Sequence, residues 1–266
     1  MNGSILRFWR KLNGHSLKYI VDRVPVEYTG FSDTSSLSRL ESNKTKLSED
    51  NLVGFFKAYG LHYRPLCAID AHTFDDLIVR YIQALFYKED TSYIITNIKA
   101  LKDSIQFDFR YFSYVLVLTH DSAMSGEQND GKCVGKILNL LLEFVRDFNN
   151  LQRQLLYDAL AIYYEDADLL LEAKKYIEKS IAFNGNIYLN GLVFYHQSVI
   201  FRKCALLPEA LKAAMDAKQI FDREMSFERS LRSLLEIATI ESELRQFELA
   251  NHDFNLVKRS ILTLNL

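Results

Sequence analysis

Residues 35–46 read Ser-Ser-Leu-Ser-Arg-Leu-Glu-Ser-Asn-Lys-Thr-Lys, and this stretch has the composition of a short helix that lies in a groove of DNA. Leu37 and Leu40 are three residues apart, so they share one face of a helix and can anchor it to a core. The other face carries hydroxyl groups and Arg39, which can pair with guanine in the major groove. Lys44 and Lys46 follow the helix and are placed to contact phosphates. An ordinary amphipathic surface helix has the same pattern, so these twelve residues alone leave both interpretations open.

Three more short helices are predicted around this stretch. Apolar residues at helical spacing from Ile5 to Leu12 predict the first helix. Ser16 is the expected N-cap of a second helix, which Pro25 ends, and Ser48 is the expected N-cap of a fourth helix, which Gly60 ends. Four short helices of which the third is polar are typical of a helix-turn-helix domain.

The run Leu-Ser-Arg-Leu-Glu-Ser-Asn-Lys at residues 37–44 resembles the recognition-helix end of the lambda-repressor-like (XRE) helix-turn-helix domain, where Ser/Thr-x-x-Ser-Arg-x-Glu-x-Gly-Lys is usual. With a large helical remainder, the chain most resembles the Rgg-type transcriptional regulators of Gram-positive bacteria. The resemblance implies an ion pair between Arg10 and Glu41 that joins the first helix to the third. The residues expected to contact DNA are Ser16, Thr34, Ser35, Ser36, Arg39, Lys44 and Lys46.

The chain departs from the XRE pattern at three places. Leu17 stands where the family usually has Gln, so one phosphate contact is expected to be absent. Asn43 replaces the usual Gly, but Asn tolerates the left-handed conformation. Residues 25–34 make the turn before the third helix several residues longer than usual. This long turn keeps open the alternative that the domain is degenerate and no longer binds DNA.

Charge is distributed unevenly along the chain. The 266 residues carry a formal charge of −2, but residues 1–64 hold ten Lys and Arg against six Asp and Glu. A basic module on an acidic body is what DNA contact through one end requires. The positive excess is modest, so we expect a homodimer that presents two such modules. Gly and Pro together number only 13, which predicts long helices and few tight turns.

Several classes of protein are disfavoured by what the sequence lacks. Cys67, Cys133 and Cys204 are odd in number and far apart, so a reducing cytoplasm and three ordinary core cysteines are expected. No run of about 18 apolar residues and no signal peptide are present, which predicts no membrane partner. Phosphate-binding glycine loops are also absent, and no two histidines have metal-ligand helical spacing. We therefore predict no cofactor, no metal and no catalytic site.

The remainder of the chain reads as a succession of helices. We predict a helix-turn-helix domain at residues 1–64, a linker at 65–71 and a helical sensor and dimerisation domain at 72–266. Residues 111–118 are rich in aromatic and β-branched side chains, but their neighbours favour a helix. Residues 121–131 are polar and contain two glycines, so they are predicted as a loop.

Small residues recur in the C-terminal part of the chain. Ala173 and Ser180, then Ala210 and Ala217, then Ala250 fall where paired antiparallel helices would cross. The pattern resembles degenerate tetratricopeptide (TPR) repeats, although a non-repetitive helical bundle that uses Ala at tight crossings is the alternative. The predicted fold class is therefore all-α, with an N-terminal helix-turn-helix domain followed by a TPR-like, right-handed helical repeat.

The TPR resemblance implies a concave groove lined by the first helix of each pair. Aromatic, aliphatic and charged side chains alternate at the groove positions, which suits a short extended peptide. The residues predicted to line the groove are Asn150, Arg153, Asp158, Tyr195, Val199, Arg202, Arg232, Leu235 and Thr239.

The predicted function is that of a DNA-binding transcriptional regulator. Its expected partners are double-stranded DNA, a short signalling peptide and a second copy of the chain, as in a quorum-sensing regulator of the Rgg type. The alternative is a helical-repeat interaction scaffold whose helix-turn-helix domain is non-functional.

Overall fold

The computed structural model describes residues 3–28, 33–125 and 131–264, and all regular structure within these ranges is helical. The all-α prediction is therefore confirmed. Four short helices form the N-terminal part, called the head here. They are α1 (Ser4–Leu12), α2 (Leu17–Val21), α3 (Thr34–Glu41) and α4 (Glu49–Lys57).

Eleven further helices form the rest of the chain, called the body here. They are α5 (Ala68–Tyr87), α6 (Ser92–Ala100), α7 (Lys102–Ile105), α8 (Arg110–Ser125), α9 (Gly131–Leu142), α10 (Asn150–Asp166), α11 (Leu170–Ile181), α12 (Ile187–Lys203), α13 (Leu207–Arg223), α14 (Phe227–Glu243) and α15 (Phe247–Leu264). A 3₁₀ turn at Val145–Asp147 precedes α10.

Side-chain caps define the helix starts in the head. The Ser16 hydroxyl accepts the Tyr19 backbone N–H at 3.1 Å, and Ser48 forms a capping box with Asn51. The N-cap of α3 is Asp33, whose carboxylate accepts the Ser36 N–H at 2.8 Å. These contacts confirm the four predicted helices and both predicted caps, and they add a cap that the sequence analysis did not identify.

The C-terminal end of α3 is fixed by backbone conformation and by charge. Asn43 has φ of +58°, so the left-handed conformation expected at this position is present. The Arg10 guanidinium donates through Nε and Nη2 to the two Glu41 carboxylate oxygens, each at 2.7 Å. The side chains are only 13% and 5% exposed. The predicted ion pair is thus confirmed as a bidentate, largely buried link between α1 and α3.

Helix α1 is packed on two sides, because it also enters the core of the body. The Phe8 ring lies 4.6 Å from the Phe112 ring, and the Trp9 ring stacks on Tyr111 at 5.0 Å. The Trp9 indole N–H donates to the Gln106 carbonyl at 2.6 Å. Head and body therefore share one continuous apolar core rather than being joined by a linker alone.

Helix boundaries in the body differ from the prediction at one clear place. Helix α8 continues to Ser125, so residues 121–125 are helical and the predicted loop is wrong there. Its polar side chains are accommodated because Thr91 donates to Asp121. The rest of that loop, residues 126–130, lies outside the described residues. The helix predicted at 111–118 is confirmed, and α5 begins at Ala68, within the segment predicted as a linker.

The body helices form five successive antiparallel pairs, beginning with α5, α8, α10, α12 and α14, which we call the first helices. The second helix of a pair carries the small residues predicted at the helix crossings. Those on α11 and α13 are fully buried: Ala173, Ala210, Ala214 and Ala217. Helix α5 also contacts α12 and α13 far along the chain, since the Phe86 ring lies 5.1 Å from Tyr188 and 5.0 Å from Phe221. The stack therefore bends back until its first pair meets its fourth.

We expect Arg10→Met to lower the free energy of unfolding by about 3 kcal/mol, because Glu41 then loses its partner while it stays buried. Urea denaturation measures this change. Lys57→Met breaks an exposed ion pair with Glu27 in the same head and should change the free energy far less. Equal losses in the two variants would show that the Arg10 contact does not hold α3 in place.

Candidate DNA-binding face and ligand groove

Helix α3 presents its two sides to different surroundings. Leu37, Leu40 and Glu41 are buried against the head, whereas Thr34, Ser35 and Arg39 are exposed. No hydrogen bond or ion pair within the described residues engages the Arg39 guanidinium, so its donors face solvent. Lys44 and Lys46, which follow the helix, are exposed as well. The geometry thus keeps the predicted polar face available for an external partner.

Two of the predicted contact hydroxyls already have bonding roles within the head. Ser16 Oγ is the N-cap of α2, and the Ser36 hydroxyl donates to Asp33 at 3.2 Å. Arg10 also donates to the His15 carbonyl at 3.0 Å, which places the start of α2 beside the end of α3. Ser16 and the α3 face therefore belong to one surface, held together by a single buried guanidinium.

Asp33 is a feature of this surface that the sequence analysis missed. Its carboxylate caps the positive end of α3, which is favourable for the helix. The same charge stands at the helix N-terminus, where phosphate groups otherwise bind. The signal was present in the sequence, because an Asp before Thr-Ser-Ser is a common N-cap pattern.

Most of the predicted groove residues lie on α12 and α14, which are neighbours in space. Tyr195 and Val199 are half-buried, and Leu235 is 44% exposed. Burial raises the pKa of the Tyr195 hydroxyl, and the Glu236 carboxylate raises it further, while Arg232 opposes this effect. Tyr195 of α12 therefore lies close to charged side chains of α14, and the groove assignment of Val199 and Leu235 stays a prediction.

Ion pairs and a backbone contact already occupy several polar groups on this face. Arg202 bridges Glu236 at 2.7 Å and Glu243 at 3.2 Å. Arg232 contacts Glu228 at 3.3 Å, and the Thr239 hydroxyl bonds the Leu235 carbonyl at 2.8 Å. A peptide carboxylate or amide would have to compete with these contacts, or bind the donors and acceptors that these side chains still have available.

Three predicted groove residues on α10 are placed differently. Asp158 is fully buried, so it does not line an accessible surface. Arg153 donates to the carbonyls of Val145 and Arg146, each at 3.1 Å, and its guanidinium lies over the Phe183 ring. Asn150 is exposed at the first turn. The prediction is therefore corrected for Asp158, whose buried carboxylate stabilises the stack itself. The assignment of Asn150 and Arg153 to the groove stays a prediction.

Asp158 belongs to a hydrogen-bonded relay that crosses four of the first helices. Tyr81 Oη on α5 bonds His120 Nδ1 on α8 at 2.9 Å, and His120 Nε2 bonds Asp158 Oδ2 at 3.2 Å. His196 Nδ1 on α12 bonds Asp158 Oδ1 at 2.9 Å. Each first helix contributes one member, so the relay fixes the register of four consecutive pairs.

The contacts with the two histidines keep the buried carboxylate ionised. Burial alone would raise the pKa of Asp158, but its electrostatic interaction with His196 and the hydrogen bonds from His120 and His196 outweigh this effect. The pKa of Asp158 therefore lies well below its ordinary value, and the group is ionised. Burial raises the pKa of Tyr81 well above its ordinary value, which keeps the hydroxyl protonated.

The relay had a signal in the sequence that we did not use. Its members are 39, 38 and 38 residues apart, which is close to the length of one helix pair. Considered individually, the histidines show no pattern along the sequence. Equal spacing at the repeat length would have placed them at equivalent positions of neighbouring pairs.

Two other classes of site are not found in the described part of the chain. No group of three or more His, Cys, Asp or Glu residues there is arranged to hold a metal ion. None of the described helices combines the length and the apolar character needed to cross a membrane.

We expect Asp158→Asn to lower the free energy of unfolding at neutral pH by about 3 kcal/mol, because two imidazoles lose their charged partner. A carboxyl group with a lowered pKa stabilises the fold above its unfolded pKa, near 4, and loses this effect as the pH falls. The difference in free energy of unfolding between wild type and variant should therefore become smaller below about pH 4. Urea denaturation at several pH values tests this prediction. Asp168→Asn, at an exposed aspartate, is the control and should change the free energy of unfolding little. A free-energy difference that does not depend on pH would contradict the prediction.

The comparisons with known proteins bear on the fold. No protein-family model matches the chain, and no curated protein matches its sequence. The chain is similar to one in the crystal structure of Bacillus thuringiensis PlcR in complex with the peptide PapR7 and DNA. The similarity covers 98% of this chain and 96% of that chain, with a TM-score of 0.51 at 17% sequence identity. The chain therefore has the predicted all-α fold, in which a helix-turn-helix head precedes a TPR-like helical repeat.

Proposed function

We propose that this protein is a sequence-specific DNA-binding transcriptional regulator of the Rgg type, whose body senses a short signalling peptide. The observation that carries the proposal is the exposed polar face of α3, where Arg39 has no bonding partner among the described residues while Arg10 and Glu41 hold the helix rigid. Rigid placement of a free guanidinium is what base recognition in the major groove requires. The shared fold with a peptide- and DNA-bound PlcR supports the same function.

Residues 1–64 would act as the DNA-binding domain, residues 65–71 as the connection, and residues 72–266 as the sensor and dimerisation domain. A homodimer in the cytoplasm would place two heads on two half-sites of DNA. Peptide would act by binding one arrangement of the two heads more tightly than another. Because α1 lies in the core of the body, a change in the body would move the head directly.

The first test compares the salt-dependent binding of wild type and Arg39→Ala to DNA fragments from upstream of its own gene. We expect Arg39→Ala to cost about 1 to 3 kcal/mol on the preferred fragment and to reduce selectivity among fragments. Lys44→Ala removes a phosphate contact, so it should weaken binding to all fragments alike and lower the salt slope by about one. Arg80→Ala, an exposed arginine of the body, is the control and should behave like wild type.

A second candidate function is an interaction scaffold that binds a protein and no DNA. The observation in its favour is the Asp33 carboxylate at the N-terminus of α3, where it would repel phosphate. Weak binding to every fragment, equal in wild type, Arg39→Ala and Arg80→Ala, would favour the scaffold over the regulator.

A further inference from the structure

Arg229, on the first turn of α14, is a buried cation. Only 8% of the residue is exposed. Its guanidinium donates through Nε at 3.1 Å and Nη2 at 2.5 Å to the same acceptor, the Leu85 carbonyl at the end of α5. No acidic oxygen lies within ion-pair distance of it in the described part of the chain. Burial lowers the pKa of Arg229, and the nearby charge of Arg232 lowers it further, while Tyr195 and Glu228 oppose this effect.

The contact with Leu85 offsets the cost of burial only in part. A carbonyl at a helix C-terminus carries partial negative charge, so it stabilises a cation there. A buried guanidinium normally needs a full counter-charge as well. A guanidinium has five N–H groups, and the two bonds to Leu85 leave three of them available.

A cavity of about 780 Å³ lies beside this guanidinium. The ends of α5 and α8 and the start of α6 form its walls, and Leu85, Ile95 and Leu118 supply an apolar part. This volume is in the range of small-ligand sites. The charge of Arg229 also lowers the pKa of Tyr195 on α12, which opposes the effect of burial, so Arg229 is near one residue of the predicted groove face.

The acidic residues of the cavity narrow the chemistry of a ligand. Asp90 accepts the Ser92 backbone N–H at 2.9 Å, and Asp121 accepts the Thr91 hydroxyl at 3.2 Å. Lys88 and Lys99 also line the cavity, and Lys88 is paired with Glu228. The carboxylates repel a dianion such as phosphate more strongly than a ligand with one negative charge, and they can accept bonds from amide N–H groups. A ligand that combines one carboxylate, amide N–H groups and an apolar side chain fits all three features.

We propose that Arg229 binds the C-terminal carboxylate of a peptide whose last side chain is apolar. The carboxylate would take the free edge of the guanidinium, while the Leu85 contact holds that guanidinium in place. This assignment rests on the proposed peptide sensing and gives the bound peptide a direction: its C-terminus lies where the first pair of helices meets the last.

The test uses a matched pair of probes, N-acetyl-leucyl-leucine with a free carboxylate and the same compound as its C-terminal amide. Each is titrated into the ¹⁵N-labelled full chain, and the Arg229 Nε–H signal is followed by NMR. We expect the acid to shift this signal and to bind at least about tenfold more tightly than the amide. Inorganic phosphate should neither shift the signal nor displace the acid.

Arg229→Lys identifies the signal and should weaken acid binding to the level of the amide, because one ammonium does not reproduce the bidentate contact. Arg223→Gln, an exposed arginine at the end of α13, is the control and should retain the preference for the acid. Equal affinity for acid and amide, a shift that spares Arg229, or no binding of the acid would overturn the proposal. The DNA-binding experiment with Arg39→Ala does not depend on these outcomes. Failure of the carboxylate site can therefore be distinguished from failure of the proposed regulatory function.

Discussion

Helix α1 is packed on both sides, and the relation between head and body depends on it. Toward the head, its Arg10 is paired with Glu41 of α3. Toward the body, its Phe8 and Trp9 rings are buried among aromatic residues, and the indole N–H has a carbonyl partner. Burial of two such rings contributes roughly 3 to 6 kcal/mol. The head is therefore not a freely tethered module, and any movement of α1 moves α3 with it.

In the body, a polar relay supplies the register that apolar packing alone would leave open. Apolar helix faces tolerate sliding, whereas a buried carboxylate must meet its donors at fixed distances. Asp158 has donors from His120 and His196, so α8, α10 and α12 can be aligned in one way only. Removing the carboxylate would therefore loosen three helix pairs together.

The end of α5 contacts the last two helix pairs, which lie far along the chain. The Leu85 and Phe86 carbonyls belong to the last turn of α5, and Arg229 and Ser226 of the α14 region donate to them. A ligand in the proposed carboxylate site would contact both α5 and α14. Its binding would then be coupled to the curvature of the stack and, through α1, to the orientation of the head.

The sequence by itself determined what is local: helix positions, the Ser16 and Ser48 caps and, through a family pattern, the Arg10 to Glu41 pair. Periodicity and capping depend on residues a few positions apart, so they can be read from the chain. Only the tertiary structure decided that Asp158 is buried, that α1 is enclosed on two sides and that Arg229 is buried without an ion pair to any described residue. A repeating pattern shows which face of a helix is apolar, but it does not show what that face meets. Contacts between residues 38 to 144 positions apart depend on how the helix pairs stack.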